Sequence, residues 1–252
     1  MSLDVKTIVS HFSISAERYS KNRKLPDHND LFVRSFQNRA TESLKILDVG
    51  CGTGHRLKGL GLYYLSFDLV GIDITPKMLK QGQTVDQSNL VTFLVGDSLN
   101  IPFADHSFDA VIISEVLHHL VTDDRQQSCL RREQGLRELL RLVKPDGLIL
   151  LHEVCFYSAW RTMALFHLSY LFSRFNLSIP SLNIHKNVVV NFFTVSELEE
   201  MFKRMKLQVL AKESKIFKKP VNWITGLFSF PVWSKYVLSP SFSHHLVDNQ
   251  QT

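Results

Sequence analysis

The residues best equipped for chemistry stand at the ends of short apolar runs. The run Leu44 to Val49 leads into Gly50-Cys51-Gly52-Thr53-Gly54, a turn with almost no side chain toward a ligand. Something can therefore approach its backbone closely. An acid, Asp48, precedes the turn. Asp73 ends a second run, Phe67 to Ile72, about 20 residues further on, where a carboxylate can accept hydrogen bonds from both ribose hydroxyls. Asp97, with Ser98, ends a third run, Val91 to Val95, where a carboxylate can accept from the exocyclic amine of adenine. The fourth run, Ala110 to Ile113, leads into Ser114, Glu115 and the pair His118-His119. Taken singly, each acid reads as an ordinary turn or helix cap. Three at successive strand tips point to one site, because ligands of open parallel sheets bind outside the carboxyl ends of the strands.

A dinucleotide fingerprint needs G-x-G-x-x-G, and His55 occupies the position of the third glycine. Asp48 would repel a pyrophosphate but attract a cofactor carrying an ammonium and a sulfonium, which favours S-adenosylmethionine over NAD. Cys51, Thr53, Ile74 and Met78 are counted with the turn and the acids as cofactor contacts. Glu115 either meets the methionine ammonium or pairs with a nearby arginine. If such a cofactor donates its methyl group, the transfer is an in-line displacement, and the protein has mainly to align the reactants in a dry pocket. An alcohol or protonated amine acceptor must also lose a proton, and His118 or His119 is the expected base, or else packs or caps a helix.

Elements that position these residues follow from periodicity. The apolar runs, with a fifth from Leu148 to Leu151, lack polar alternation, as strands of a parallel sheet covered on both faces do. Leu136, Leu139, Leu140 and Val143 mark an amphipathic helix that ends before Lys144-Pro145-Asp146-Gly147, where the chain turns into the next strand. Thr194 to Glu200 reads as a capped helix start running to about Met205, with a late strand over Leu207 to Leu210. Of 27 aromatic residues, 16 lie between residues 151 and 240, so this third of the chain is built to touch something apolar. Within it Trp160, Ala164, Leu168, Leu171 and Phe175 follow helical spacing, and a helix packed into the core on that face is expected over one lying on a membrane surface.

With 252 residues, 44% hydrophobic and 21% charged, one packed domain is expected. Three cysteines without C-x-x-C spacing or partner histidines imply a reduced, cytoplasmic compartment and no metal. The N-terminus lacks the apolar run of a secretory signal, and no segment offers about 18 uncharged apolar residues in a row, so no membrane span is expected. A net charge of +5 is mildly attractive to phosphates. The run Arg125, Arg131, Arg132, Arg137, Arg141 and Lys144 reads first as a solvated helix face, and Lys212, Lys215, Lys218 and Lys219 form the late basic cluster.

Taken together, Ile46 to Gly54, Gly71-Ile72-Asp73, Gly96-Asp97, Ile101-Pro102-Phe103 with Ser107-Phe108-Asp109, and Leu142 to Gly147 resemble the class I S-adenosylmethionine-dependent methyltransferases, and more narrowly their type 11 group. The likeness covers roughly residues 8 to 155. Asp146 replaces the usual glycine of its last motif, at a turn that tolerates aspartate. The resemblance implies an α/β, doubly wound, mostly parallel seven-stranded sheet with an antiparallel last pair, strands near Leu207 and Ile216 being its candidates. It implies one domain over 1–252: N-terminal lid helices over 1–40, the cofactor core over 44–155, a helical cap over 156–190 after strand 5, and a helix with antiparallel strands over 191–240. The tail 247–252 is expected to fray. It further implies that Tyr19 closes over the cofactor with Arg23 near the methionine carboxylate, the alternative being a surface helix whose tyrosine merely packs. The acceptor expected first is an apolar or amphiphilic small molecule such as a quinone, lipid or polyketide-like metabolite. The segment Val116 to Leu120 followed by Asp124-Arg125 is also similar to wobble-uridine tRNA methyltransferases, so tRNA stays open as partner. A non-catalytic interaction protein of the same fold is the third reading; oligomeric state is left open.

Overall fold

A computed structural model describes residues 5–85, 90–177, 188–216 and 231–240. In chain order the elements are α1 (Val5–Asn22), α2 (Leu31–Arg34), β1 (Lys45–Val49), α3 (His55–Tyr63), β2 (Asp68–Asp73), α4 (Pro76–Val85), β3 (Val91–Val95), β4 (Phe108–Ser114), α5 (Arg125–Leu142), β5 (Val143–Phe156), α6 (Ala159–Arg174), β6 (Phe193–Thr194), α7 (Val195–Arg204), β7 (Leu207–Ile216) and β8 (Val232–Pro240). The sheet runs β3-β2-β1-β4-β5-β8-β7, with β6 paired to β5 off this path. β1 to β6 pair in parallel, while β8 is antiparallel to both β5 and β7. Strand order reverses between β1 and β4, the crevice where doubly wound sheets hold ligands.

Side chains alternate across the sheet because a strand has a period of two. Leu47 and Val49 of β1 join a core layer with Leu136, Leu139 and Leu142 of α5, whereas Ile46 joins the opposite layer with Leu57 and Leu60 of α3 and Phe36. Each of these is fully buried, contributing roughly 1.5–3 kcal/mol. The capping box at α7 is complete: the Thr194 hydroxyl accepts from Glu197 N–H at 3.0 Å, and Glu197 accepts from Thr194 N–H at 2.8 Å.

Four details differ from the sequence expectation. The described sheet has eight strands because Phe193–Thr194 adds a two-residue strand beside β5. Leu207 and Ile216 lie on one long strand, β7, whose partner is β8. Val143, read as helical, starts β5, and the strand passes through Lys144 to Gly147 with an irregular register opposite Phe108 and Ala110. On α6 the buried face is Thr162, Leu165, Phe166 and Ser169, while Trp160, Leu171 and Phe175 are exposed. That helix is apolar almost all round, so periodicity did not choose its inner face. The 156–190 span contains α6; residues 178–187 and the tail 247–252 lie outside the described residues.

Candidate functional site

The glycine turn folds as its composition requires. Gly50, Gly52 and Gly54 have φ of 68°, 56° and 71°, the left-handed region that side chains with a Cβ avoid. Gly50 and Cys51 both donate to the Ile72 carbonyl, at 2.8 and 3.0 Å, which ties the turn to β2. A Cβ on Gly50 would lie 2.3 Å from Val116 Cγ2, and one on Gly52 would lie 3.4 Å from the Tyr19 ring. Tyr19 of α1 therefore lies over the turn. Burial pushes its hydroxyl up to about 12, against the nearby charge of Arg23, so it stays neutral.

Asp73 is anchored at both oxygens, accepting from Gly52 N–H at 2.9 Å and Thr75 N–H at 2.8 Å, and burial raises its pKa despite these bonds. Asp97 accepts from Leu99 N–H at 2.9 Å. Asp48 is 2% exposed beneath the turn, with Oδ1 unpartnered. Burial lifts its pKa to about 7 although Arg56 opposes the rise, so it changes charge near neutral pH.

Glu115 stands at the tip of β4 with φ of 58°, its N–H donating to the His152 carbonyl of β5 at 2.8 Å. Its carboxylate accepts a bidentate pair from Arg23 at 2.9 and 2.8 Å. Burial alone would raise the Glu115 pKa, but Arg23 outweighs it and holds the group at about 2. The pairing with arginine expected as one of its two roles is present.

Tyr19, Gly50, Gly52, Asp73, Ile74, Met78, Asp97, Ser98, Ser114, Glu115 and His119 line a common cavity. Cys51, Thr53 and Gly54 shape the turn from beneath, Cys51 packing its sulfur against Gly71. Arg23 lies behind Glu115 and lines a second, neighbouring cavity. The histidines separate: His119 faces the first cavity, with Phe12 edge-on at 5.2 Å and Nδ1 unpartnered, whereas buried His118 bonds Glu153 at 2.5 Å and stacks on Phe192. Burial, with the charge of His118 and His11, pushes the His119 pKa well below its ordinary 6.5, so the ring is neutral.

Sequence reasoning missed Ile8, Phe12, Leu120 and Val121, which wall the cavity around His119, and Glu153 and His152. For the last two a signal existed, since polar residues follow Leu151 on β5 as they follow the other strands. Most cations of the run from Arg125 to Lys144 have partners within the fold. Arg125 meets Glu197 at 3.8 Å, Arg137 meets Glu133 at 2.6 Å, Arg141 meets Glu138 and Asp105, and Lys144 meets Asp109 at 2.7 Å. Arg132, expected on a solvated face, is buried on the Asn191 carbonyl and the Phe193 ring. Arg131 alone of the run lines the cavity. Lys212 pairs with Glu199 at 2.6 Å, and Lys218 and Lys219 lie outside the described residues. Among the described residues no histidine, cysteine and carboxylate cluster could hold a metal, and no helix is long and apolar enough to cross a membrane.

Residues 47–151 match the family model described as a methyltransferase domain. The tRNA (carboxymethyluridine(34)-5-O)-methyltransferase of Arabidopsis thaliana is 35% identical over 148 residues, 57% of this chain and 30% of that protein. The demethylmenaquinone methyltransferase of Corynebacterium urealyticum is 38% identical over 112 residues, 43% of this chain and 41% of that protein. These two matches span less than half the length of either relative. In fold the chain is similar to an S-adenosylmethionine-dependent methyltransferase of Methanosarcina mazei, with a TM-score of 0.61, 18% identity, and coverage of 83% of this chain and 97% of that one.

Proposed function

We propose that this chain, whose residues 47–151 form a class I S-adenosylmethionine-dependent methyltransferase domain, methylates a small apolar or amphiphilic acceptor. The observation that carries this reading is the apolar wall of Ile8, Phe12, Leu120 and Val121 around the neutral ring of His119. The residues fit the cofactor: bare backbone at Gly50 and Gly52, carboxylates of Asp73 and Asp97 at successive strand tips, and the buried Ser114 hydroxyl, which has no partner. Asp73 receives the ribose hydroxyls, Asp97 the adenine amine, and Ser114 with Glu115 the methionine end. S-adenosylmethionine supplies the activated methyl group. Tyr19 and Phe12 on α1 keep water from the pocket, which strengthens every polar contact inside it. As the acceptor gains the methyl it gives up a proton, and His119 takes it. His118 holds its neighbour in place, itself fixed by Glu153.

A nucleic-acid acceptor is the second reading. It is supported by the Arabidopsis relative and by Arg131 at the cavity. Against it, the other cations of the run from Arg125 to Lys144 already have partners, leaving few on that face free for phosphates. The test is incubation with methyl-labelled cofactor and fractionated cell extract. Label in the organic-soluble fraction that survives ribonuclease is expected; label confined to RNA overturns the first reading.

A further inference from the structure

Beyond the Glu115–Arg23 pair lies a second cavity at the same sheet edge, open between α3, β5 and the β7–β8 ribbon. Its charge accounting is uneven. Every acid in its wall is already closed by a cation: Glu115 by Arg23, Asp30 by Lys235 at 2.5 Å, and Glu213 by Arg34. Arg56 is not. Its guanidinium lies over the Phe32 ring at 4.9 Å, is 5% exposed, leaves Nε unpartnered, and makes no ion pair among the described residues. Beside it His152 is 4% exposed with both ring nitrogens unpartnered, 3.7 Å from Glu115, too far for a hydrogen bond. Trp233 packs edge-on against His152 at 5.6 Å, and Lys215 extends into the rim. An almost fully buried cation whose opposite charges, Asp48 and Asp30, stay beyond ion-pair distance, next to a buried imidazole without a hydrogen-bond partner, is costly for a fold to keep.

We infer that this cavity is a second ligand site, which binds the oxyanion of a small molecule, a carboxylate or a phosphate, against Arg56, His152 and Lys215, with Trp233 as an apolar wall. A planar oxyanion accepts from a guanidinium in two parallel bonds, and a neutral imidazole adds a donor. This inference is independent of which acceptor the first cavity takes. The two cavities share Glu115, so an anion seated in the second lies next to the cofactor chamber without entering it.

Calorimetric titration of the whole chain with inorganic phosphate and with benzoate, at constant ionic strength and with or without S-adenosylhomocysteine, tests the site. At least one probe binds the wild type, and S-adenosylhomocysteine does not compete. Arg56→Gln weakens that probe about tenfold or more and leaves S-adenosylhomocysteine within about twofold. Should Arg56→Gln fail to fold, Lys215→Ala and Trp233→Phe at the rim carry the test, each weakening the probe by a factor of a few. Stronger binding of phosphate or of benzoate tells which oxyanion the site prefers. The inference is overturned if neither probe binds, if binding ignores all three substitutions, or if S-adenosylhomocysteine displaces the probe and its own affinity collapses in Arg56→Gln. That last result would assign the guanidinium to the methionine carboxylate of the cofactor.

Discussion

Replacing Asp48 by asparagine should make the unliganded protein more stable at alkaline pH, although a buried carboxylate beside the cofactor turn is lost. Burial raises the Asp48 pKa from 3.8 to about 7, with Arg56 opposing the rise. A carboxyl whose folded pKa is raised adds stability that is complete below its unfolded value and disappears as pH climbs through the folded one. At about 1.36 kcal/mol per pH unit, ionising Asp48 in the fold costs about 4 kcal/mol by pH 8. Roughly 2.6 kcal/mol of that accrues between pH 5 and pH 8, because the unfolded carboxyl is already largely ionised at pH 5. Asparagine has the same shape and cannot ionise. Urea unfolding of both proteins at pH 5, 6, 7 and 8 should therefore show the variant gaining on the wild type by about 2–3 kcal/mol across the range. A gap that stays constant within about 0.5 kcal/mol would refute the burial argument. The same logic reaches the cofactor. A sulfonium and an ammonium favour the ionised carboxylate, so the variant should lose affinity for S-adenosylmethionine more than for uncharged-sulfur S-adenosylhomocysteine.

Three other predictions rest on separate contacts. Gly50→Ala forces a left-handed alanine with its Cβ 2.3 Å from Val116, which should cost about 2–5 kcal/mol in thermal or urea unfolding. Adding Val116→Ala should recover the clash but not the backbone strain; full recovery would deny the strain. Glu115→Gln should lower stability by about 3 kcal/mol at pH 6, since Arg23 holds the Glu115 pKa at about 2 against its ordinary 4.5. That advantage of the wild type is present above pH 4.5 and fades as pH falls toward 2, so a gap that persists undiminished at pH 2.5 would contradict it. His119→Phe should reduce turnover about 10²- to 10⁴-fold with cofactor affinity nearly unchanged, and an unaltered rate would exclude His119 as the proton acceptor.

The glycine turn and the acids at the strand tips were legible because their logic is local. A glycine turn, an acid at a strand tip and the sheet rule that gathers those tips need no knowledge of distant contacts, and Gly50, Gly52, Asp73 and Asp97 do line one cavity. The second cavity was hidden for the opposite reason. Arg56 follows His55 on the first turn of α3, where a cation ordinarily faces water; only the packing of Phe32 from α2 and of β8 shows it to be enclosed. His118 and His119 are adjacent in sequence, yet a 3-10 turn sends one to Glu153 and the other to the cavity. Periodicity failed on α6 because apolar residues occupy both faces, and the choice was made by what the sheet left to cover.

Glu115 joins these two halves of the edge. A non-glycine residue in the left-handed region costs of order 1 kcal/mol or more, and it persists here because its N–H is fixed to His152 and its carboxylate to Arg23. The left-handed turn just past β4 sets this side chain where both cavities meet it. Its charge therefore acts on each side at once. We propose that on one side it meets the cofactor's ammonium; on the other it keeps Arg23 engaged, which leaves Arg56 for the anion inferred there. A neutral residue at this position would free Arg23 to compete for that anion. The partition depends as much on the pairing at Glu115 as on the shape of either cavity.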